Sequence, residues 1–348
     1  MADELNGFDP DDTGVSNGNY FGFPFSTEEA RLILISVPWD VTSSYGGGSS
    51  SAPDAIIEAS VQLDFHDPLA PGRWKQGIAT APIDYSIQER SLPLREDAVR
   101  IMEHLESGMP IEEGSILYRK LERINTISDE INTEIYDQSL SWLAAGKLIG
   151  LVGGDHSTPY GLIRAIAEKE GAFGILHIDA HCDLREKYEG FSNSHASIMY
   201  NVLRDIPEVV RLVQVGVRDY AAKEIERVRQ EERIVFFPDH KLCDARFRGE
   251  CWGKSVDRIV EKLPEKVYIS FDIDGLSPEN CPHTGTPVPG GLSFNEAIWL
   301  IARVVDSGRK IVGFDLCEVA PGKDNQWDAN VGARVLFKLC GQTIRSNE

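Results

Sequence analysis

From residue 146 onward, short apolar runs alternate with stretches of helical spacing, and few folds accommodate that alternation. The runs KLIGLVGG (147–154), AFGILHID (172–179), VRLVQVGV (210–217), RIVFF (233–237), KVYISFDID (266–274) and KIVGFDL (310–316) read as strands. Residues 158–170, 195–205, 220–231, 252–263, 293–306 and 328–344 have the length and periodicity of helices. Strands separated in this way build βαβ units and a largely parallel sheet covered on both faces. Upstream, RLILISVP (31–38) is a further buried strand, stopped by Pro38, and residues 53–63 form a helix with Pro at its start. Between them TSSYGGGSSSAP (42–53) reads as a strand-to-helix loop near the site. A proline-punctuated stretch (68–93) precedes residues 95–146, which read as mostly helical with a break at Gly108 and Pro110. The expectation is one three-layer α/β/α domain over residues 26–348, its central sheet mostly parallel. Residues 1–25 read as a polar N-terminal extension with a few aromatic anchors in NYFGFPF.

The bulk properties exclude several classes. The chain of 348 residues has a formal net charge of −20, which repels a phosphate backbone and argues against nucleic-acid binding. No run of about 18 apolar residues exists, so no membrane span is expected. The N-terminus MADELNGFDPDDTG lacks the basic and then apolar pattern of a signal peptide, which makes a cytoplasmic location the expectation. The 6 cysteines are scattered without a C-x-x-C pair and read as reduced thiols.

Three strand ends are unusually polar. In HIDAHCDL (177–184), alternation puts Asp179, His181 and Asp183 on one side if the extended chain persists, with Cys182 pointing away and His177 one step deeper. YISFDIDGLSP (268–278) repeats the spacing at Asp272 and Asp274, and LVGGDHST (151–158) presents His156 after a Gly-Gly turn. Burying such carboxylates unpaired costs several kcal/mol each, and no Lys or Arg adjoins them in sequence. A cationic partner is required. The candidates His156, Asp179, His181, Asp183, Asp272 and Asp274 are too many for one ion and suit two divalent ions. Oxygen and nitrogen donors without thiolate point to Mn²⁺, Ni²⁺, Co²⁺ or Zn²⁺.

At these residues the sequence resembles the ureohydrolase family of arginases, agmatinases and formimidoylglutamases. The resemblance rests on GGDHS (153–157), DAHCD (179–183) and SFDIDGLSPENCPHTGTPVPGG (270–291), and runs from about residue 30 to 342. It implies an arginase-like fold. It also implies one metal on His156, Asp179, Asp183 and Asp272, a second on Asp179, His181, Asp272 and Asp274, and an attacking hydroxide between them. His195 in NSHASIM is then the residue for proton transfer, and Glu318 in FDLCEVAPG the carboxylate that grips the guanidinium. Asp183, His195 and Glu318 are the expected catalytic residues. The family also implies rings of three or six copies, in which NYFGFPF would cover a neighbour's surface.

Within the family, Ala196-Ser197 and Ser277 depart from the agmatinase pattern. The segments LREKYEGFSNSHASIMYN (184–201) and DNQWDANVGARV (324–335) are more similar to the branch of guanidine and metformin hydrolases, which implies nickel before manganese. The expected substrate is guanidine or an N-alkylated guanidine such as metformin, in a pocket walled by Glu318, Tyr188, Phe191 and Trp327. The alternative is agmatine, with Glu186 or Glu189 for its ammonium. A reading from another class, a non-catalytic subunit of a hetero-oligomer, sits poorly with a complete ligand set.

Overall fold

The computed structural model describes residues 8–348. Eight strands form one sheet, with every pairing parallel: β1 (Leu32–Ser36), β2 (Ile78–Thr80), β3 (Leu148–Val152), β4 (Phe173–Ile178), β5 (Val209–Val215), β6 (Ile234–Phe237), β7 (Lys266–Asp272) and β8 (Lys310–Cys317), in the spatial order β2-β1-β3-β8-β7-β4-β5-β6. The helices are α1 (Ala52–Ser60), α2 (Tyr85–Glu106), α3 (Ile116–Ala144), α4 (Tyr160–Glu170), α5 (Ile198–Asp205), α6 (Ala222–Gln230), α7 (Asp239–Phe247), α8 (Trp252–Glu261), α9 (Phe294–Asp306) and α10 (Trp327–Ser346).

Alternation along the strands sorts the core into two layers. Leu32 and Leu34 of β1 face a cluster that includes Ile56 of α1, Ile259 of α8, Leu300 of α9 and Leu336 of α10. Ile33 and Ile35 face the opposite cluster, which includes Leu94 of α2, Ile131 of α3, Ile166 of α4 and Val202 of α5. Both faces of the sheet are therefore covered, as an all-parallel sheet requires. The three layers expected from the sequence are present.

Three details differ from the sequence reading. Helix α2 begins at Tyr85 and runs through Pro93, within a stretch that proline punctuation marks as irregular. The short strand β2 and the helix α7 carry too little periodicity to be read. The largest difference is at the N-terminus. Tyr20, Phe21 and Phe23 are fully buried in this chain's own core, with Phe23 stacked on Trp74 at 5.2 Å between ring centroids. Phe21 packs edge-on against Phe337 of α10 at 5.3 Å, and Phe8 reaches Phe23, Phe65 and Trp74. Aromatic area of this size is withdrawn from water wherever a groove exists, and the groove is in the same chain. Residues 9–19 are mostly exposed and polar, whereas Tyr20, Phe21 and Phe23 anchor the segment in this chain's own core and are not free to cover a neighbour.

Candidate active site

Four neighbouring strands, β3, β8, β7 and β4, end side by side at the centre of the sheet, where an open parallel sheet places its ligands. His156 follows β3 and Glu318 follows β8. Asp272 is the last residue of β7, Asp274 lies in the 3-10 turn Ile273–Gly275, and Asp179 to Asp183 follow β4.

The local fold explains how these side chains converge. After Ile178 the chain does not stay extended: Asp183 takes a left-handed conformation, φ 52°. That turn returns its carboxylate toward Asp179. Asp272 caps its own 3-10 turn by accepting the Asp274 N–H at 2.8 Å, which fixes the angle between the two carboxylates. The i, i+2 rule that grouped these residues in the sequence is therefore not what brings them together. His156 Nδ1 stands 3.1 Å from Asp179 Oδ2, 3.1 Å from Asp183 Oδ2 and 3.3 Å from Asp272 Oδ2. His181 Nδ1 stands 3.0 Å from Asp274 Oδ2 and 3.4 Å from Asp179 Oδ1. The six sequence candidates form two groups that share Asp179.

The four aspartates are at most 4% exposed, and the cationic groups within ion-pair distance of them are histidines alone among the described residues. Burial raises the Asp183 carboxyl to about 6, and the neighbouring Asp179 charge adds to the rise. Burial and the charges of Asp274 and Asp179 push Asp272 well above the carboxylate range. Burial also opposes ionisation of Asp179, but His177, His156 and His181 outweigh it and hold its pKa well below the usual value. At the two imidazoles burial opposes the proton, yet the surrounding carboxylates win and raise both His156 and His181 well above 6.5. Such a donor set fits divalent cations: oxygen and nitrogen atoms, buried, converging and short of positive charge. Ion binding must displace these protons. Loading metal-stripped protein near pH 7 is therefore expected to release protons, with affinity rising as pH rises. Calorimetry in two buffers of different ionisation enthalpy reads the release directly, and equal heats in both buffers would contradict it.

A polar row backs the ligands. Parallel register aligns His177, Ser270 and Asp315 across β4, β7 and β8. His177 Nε2 lies 2.8 Å from Asp179 Oδ2, and His156 Nε2 lies 2.8 Å from Ser270 Oγ. His156, Asp315 and Cys317 form a further buried group that the sequence reading missed. Cys182 is buried in the apolar layer and takes no place among the ligands.

Above the ligands opens a cavity of about 140 Å³, lined by His181, Asp183, Tyr188, His195 and Ala196 among the residues singled out in the sequence. Burial and the neighbouring His181 push the His195 imidazole down to about 3, so it is neutral at physiological pH. Glu318 lies deeper, 5% exposed. Its Oε1 accepts the His156 N–H at 2.9 Å, and burial and Asp155 raise its pKa. Its backbone is left-handed, φ 62°, a conformation that a non-glycine residue rarely adopts. Two predicted pocket aromatics are elsewhere. Phe191 is fully buried in the apolar layer. Trp327 is half-exposed at the start of α10, its indole N–H donated to the Glu279 carbonyl at 2.8 Å. Glu186 and Glu189 also stay off the cavity wall, which instead carries Asp219, Glu224, Arg185, Ser44, Tyr220 and Thr286. Asp219 and Tyr220 stand just past the end of β5, a position that marks them as candidates in a parallel sheet.

Residues 30–341 match the family model described as Arginase family. The chain belongs to the arginase family. This arginase-family chain is 31% identical over 309 residues to the N(1)-aminopropylagmatine ureohydrolase of Thermus thermophilus, covering 89% of this chain and 88% of that one. It is 28% identical to the agmatinase of Bacillus anthracis, over 88% of this chain and 90% of the other. The solved agmatine ureohydrolase of Thermoplasma volcanium superposes with a TM-score of 0.68 at 23% identity, over 92% of both chains. The arginase-like fold is thereby shown. The chain is an arginase-family ureohydrolase, a hydrolase of amidine C–N bonds with a guanidino substrate. No helix among the described residues is long and apolar enough to cross a membrane.

Proposed function

We propose that this chain releases urea from a small cationic guanidino compound, using two divalent ions held by His156, Asp179, Asp183 and Asp272 and by Asp179, His181, Asp272 and Asp274. The observation that carries the reading is the pair of ligand groups sharing Asp179 beneath a cavity walled by His195. Bound ions would supply a nucleophile at neutral pH by lowering the pKa of water to about 7. The residues supply the rest. Glu318 offers a carboxylate that fits the planar guanidinium fork. His195, on the cavity wall, is placed to pass a proton to the departing amine, which leaves poorly unless protonated. His195→Asn is expected to lower kcat by about 10²–10⁴-fold with bound metal unchanged, read by urea release beside metal analysis.

Agmatine is the tail-bearing substrate that the named relatives support, and the exposed Asp219 on the cavity wall suits its terminal ammonium. A second reading, guanidine or an N-alkylated guanidine such as metformin, is favoured by the small cavity, about 140 Å³, with Ala196 on its wall. Urea or amine release from guanidine, metformin, agmatine and arginine, assayed in parallel with Ni²⁺-loaded and Mn²⁺-loaded protein, separates the two. Turnover of agmatine far above the others favours the first reading, and turnover of guanidine or metformin the second. Turnover of none leaves the chain as a non-catalytic subunit of a hetero-oligomer. Nickel is preferred over manganese, and a cytoplasmic homo-oligomer of three or six copies is the assembly proposed; light scattering measures the latter.

A further inference from the structure

The glycine- and serine-rich loop between β1 and α1 has no role in the chemistry above, although it lies against both residues to which that chemistry assigns the proton and the guanidinium. We propose that Arg95, on α2, is a positioning residue that clamps this loop as a strap holding His195 and Glu318 in register across the cavity. The inference rests on the roles proposed for those two residues.

The geometry runs outward from the clamp. Arg95 Nη1 donates to the Val41 carbonyl at 3.1 Å and also to the Ser43 carbonyl. These carbonyls belong to the 41–42 and 43–44 peptide groups, so Arg95 holds the chain just before Thr42 and just after Ser43. The Thr42 N–H and Oγ1–H both donate to Asp155 Oδ2, at 3.2 and 2.9 Å. With its proton committed to Asp155, the same hydroxyl accepts the His195 N–H at 3.1 Å. One strap residue thus sets the backbone of His195. Two residues on, Ser44 Oγ lies 3.3 Å from His195 Nε2 and forms part of the cavity wall, so the strap also sets the ring.

The other end of the strap reaches the guanidinium side. The Gly46 N–H donates to the Gly285 carbonyl at 2.9 Å, and the backbones pass so closely that a Cβ on Gly46 would stand 2.8 Å from that oxygen. Gly285 in turn borders Glu318: a Cβ there would stand 3.4 Å from Glu318 Oε2. The chain from Ser43 to Gly48 contains three consecutive glycines and lies outside any helix or strand. Such a segment loses much conformational freedom when ordered and needs tethers. Asp155 holds Thr42 from below, Asp40 holds the Gly48 N–H at 2.8 Å, and Arg95 alone among these brings a cationic donor to the strap carbonyls.

The test compares wild type, R95M, R95K, S44A and R95M/S44A as full-length, metal-loaded protein. Each is assayed for kcat and KM on the guanidino compound that wild type turns over fastest, with bound metal and thermal melting measured alongside. A displaced catalytic group costs on the order of 10²-fold in rate. R95M is therefore expected to lose about 10–100-fold in kcat with bound metal and cooperative melting kept, and R95K to recover part of the loss. If Arg95 acts through the strap, R95M/S44A falls well short of the product of the two single losses. An active wild type matched by R95M, losses that multiply in the double variant, or metal lost in step with activity overturns the inference. A wild type that hydrolyses no guanidino compound overturns the underlying reading and the inference with it.

Discussion

Asp272→Asn is expected to reduce urea release on the order of 10³-fold or more, to lower bound metal below two ions per chain, and to leave the fold intact. The loss of activity follows from the position of Asp272. It ends a central strand, reaches His156 Nδ1 at 3.3 Å and fixes Asp274 through its N–H. A metal supplies several kcal/mol of transition-state stabilisation, and each 1.36 kcal/mol is tenfold in rate. The stability effect has the opposite sign. Burial and the charges of Asp274 and Asp179 disfavour the ionised Asp272 carboxyl. An amide of the same shape removes that repulsion. Metal-stripped D272N is therefore expected to melt no lower than metal-stripped wild type, while metal-loaded D272N melts below its wild-type counterpart because it binds fewer ions. Differential scanning calorimetry of the four samples, with metal analysis, checks both signs. A stripped variant that fails to fold would contradict the account.

The second large effect lies far from the chemistry. Phe23→Ala is expected to destabilise the protein by about 3–5 kcal/mol, the usual cost of emptying a buried aromatic site. Phe23 is fully buried, stacked on Trp74 at 5.2 Å and packed on Phe65 at 4.8 Å between centroids. Asp11→Ala, in the same segment but exposed, serves as the comparison and is expected to change stability by no more than about 0.5 kcal/mol. Urea denaturation at fixed metal concentration measures the difference. Equal, small effects from both variants would contradict the anchoring of this segment through Phe23.

These two cases show what the sequence discloses and what it withholds. Strand ends were legible because apolar runs stop abruptly at carboxylates whose burial demands a counter-charge, and that argument needs no tertiary information. All six ligand candidates therefore converge in the structure. The route by which they converge was not legible. Asp183 reaches His156 through a left-handed turn, and nothing in Cys182-Asp183-Leu184 announces a positive φ at an aspartate. Pocket walls were harder still. Tyr188 and Phe191 lie in one loop, but the loop turns back on itself, with each backbone N–H donated to the other's carbonyl, and only Tyr188 meets the cavity. Trp327 opens α10 and spends its indole N–H on the Glu279 carbonyl, off the cavity lining. The N-terminal aromatics were misplaced because segment polarity describes the majority of residues, whereas packing is decided by the few large ones. Even so, the sequence identified TSSYGGGSSSAP as a loop near the site, which its contacts with His195 and Gly285 support.

The most direct test of the central claim is a titration of metal-stripped protein with Ni²⁺, and separately with Mn²⁺, that follows bound ions per chain and urea release together. The account predicts that binding saturates at two ions per chain, and that urea release reaches its maximum only as the second equivalent is taken up. Saturation at one ion or fewer, with urea release already at its maximum or absent throughout, would contradict it.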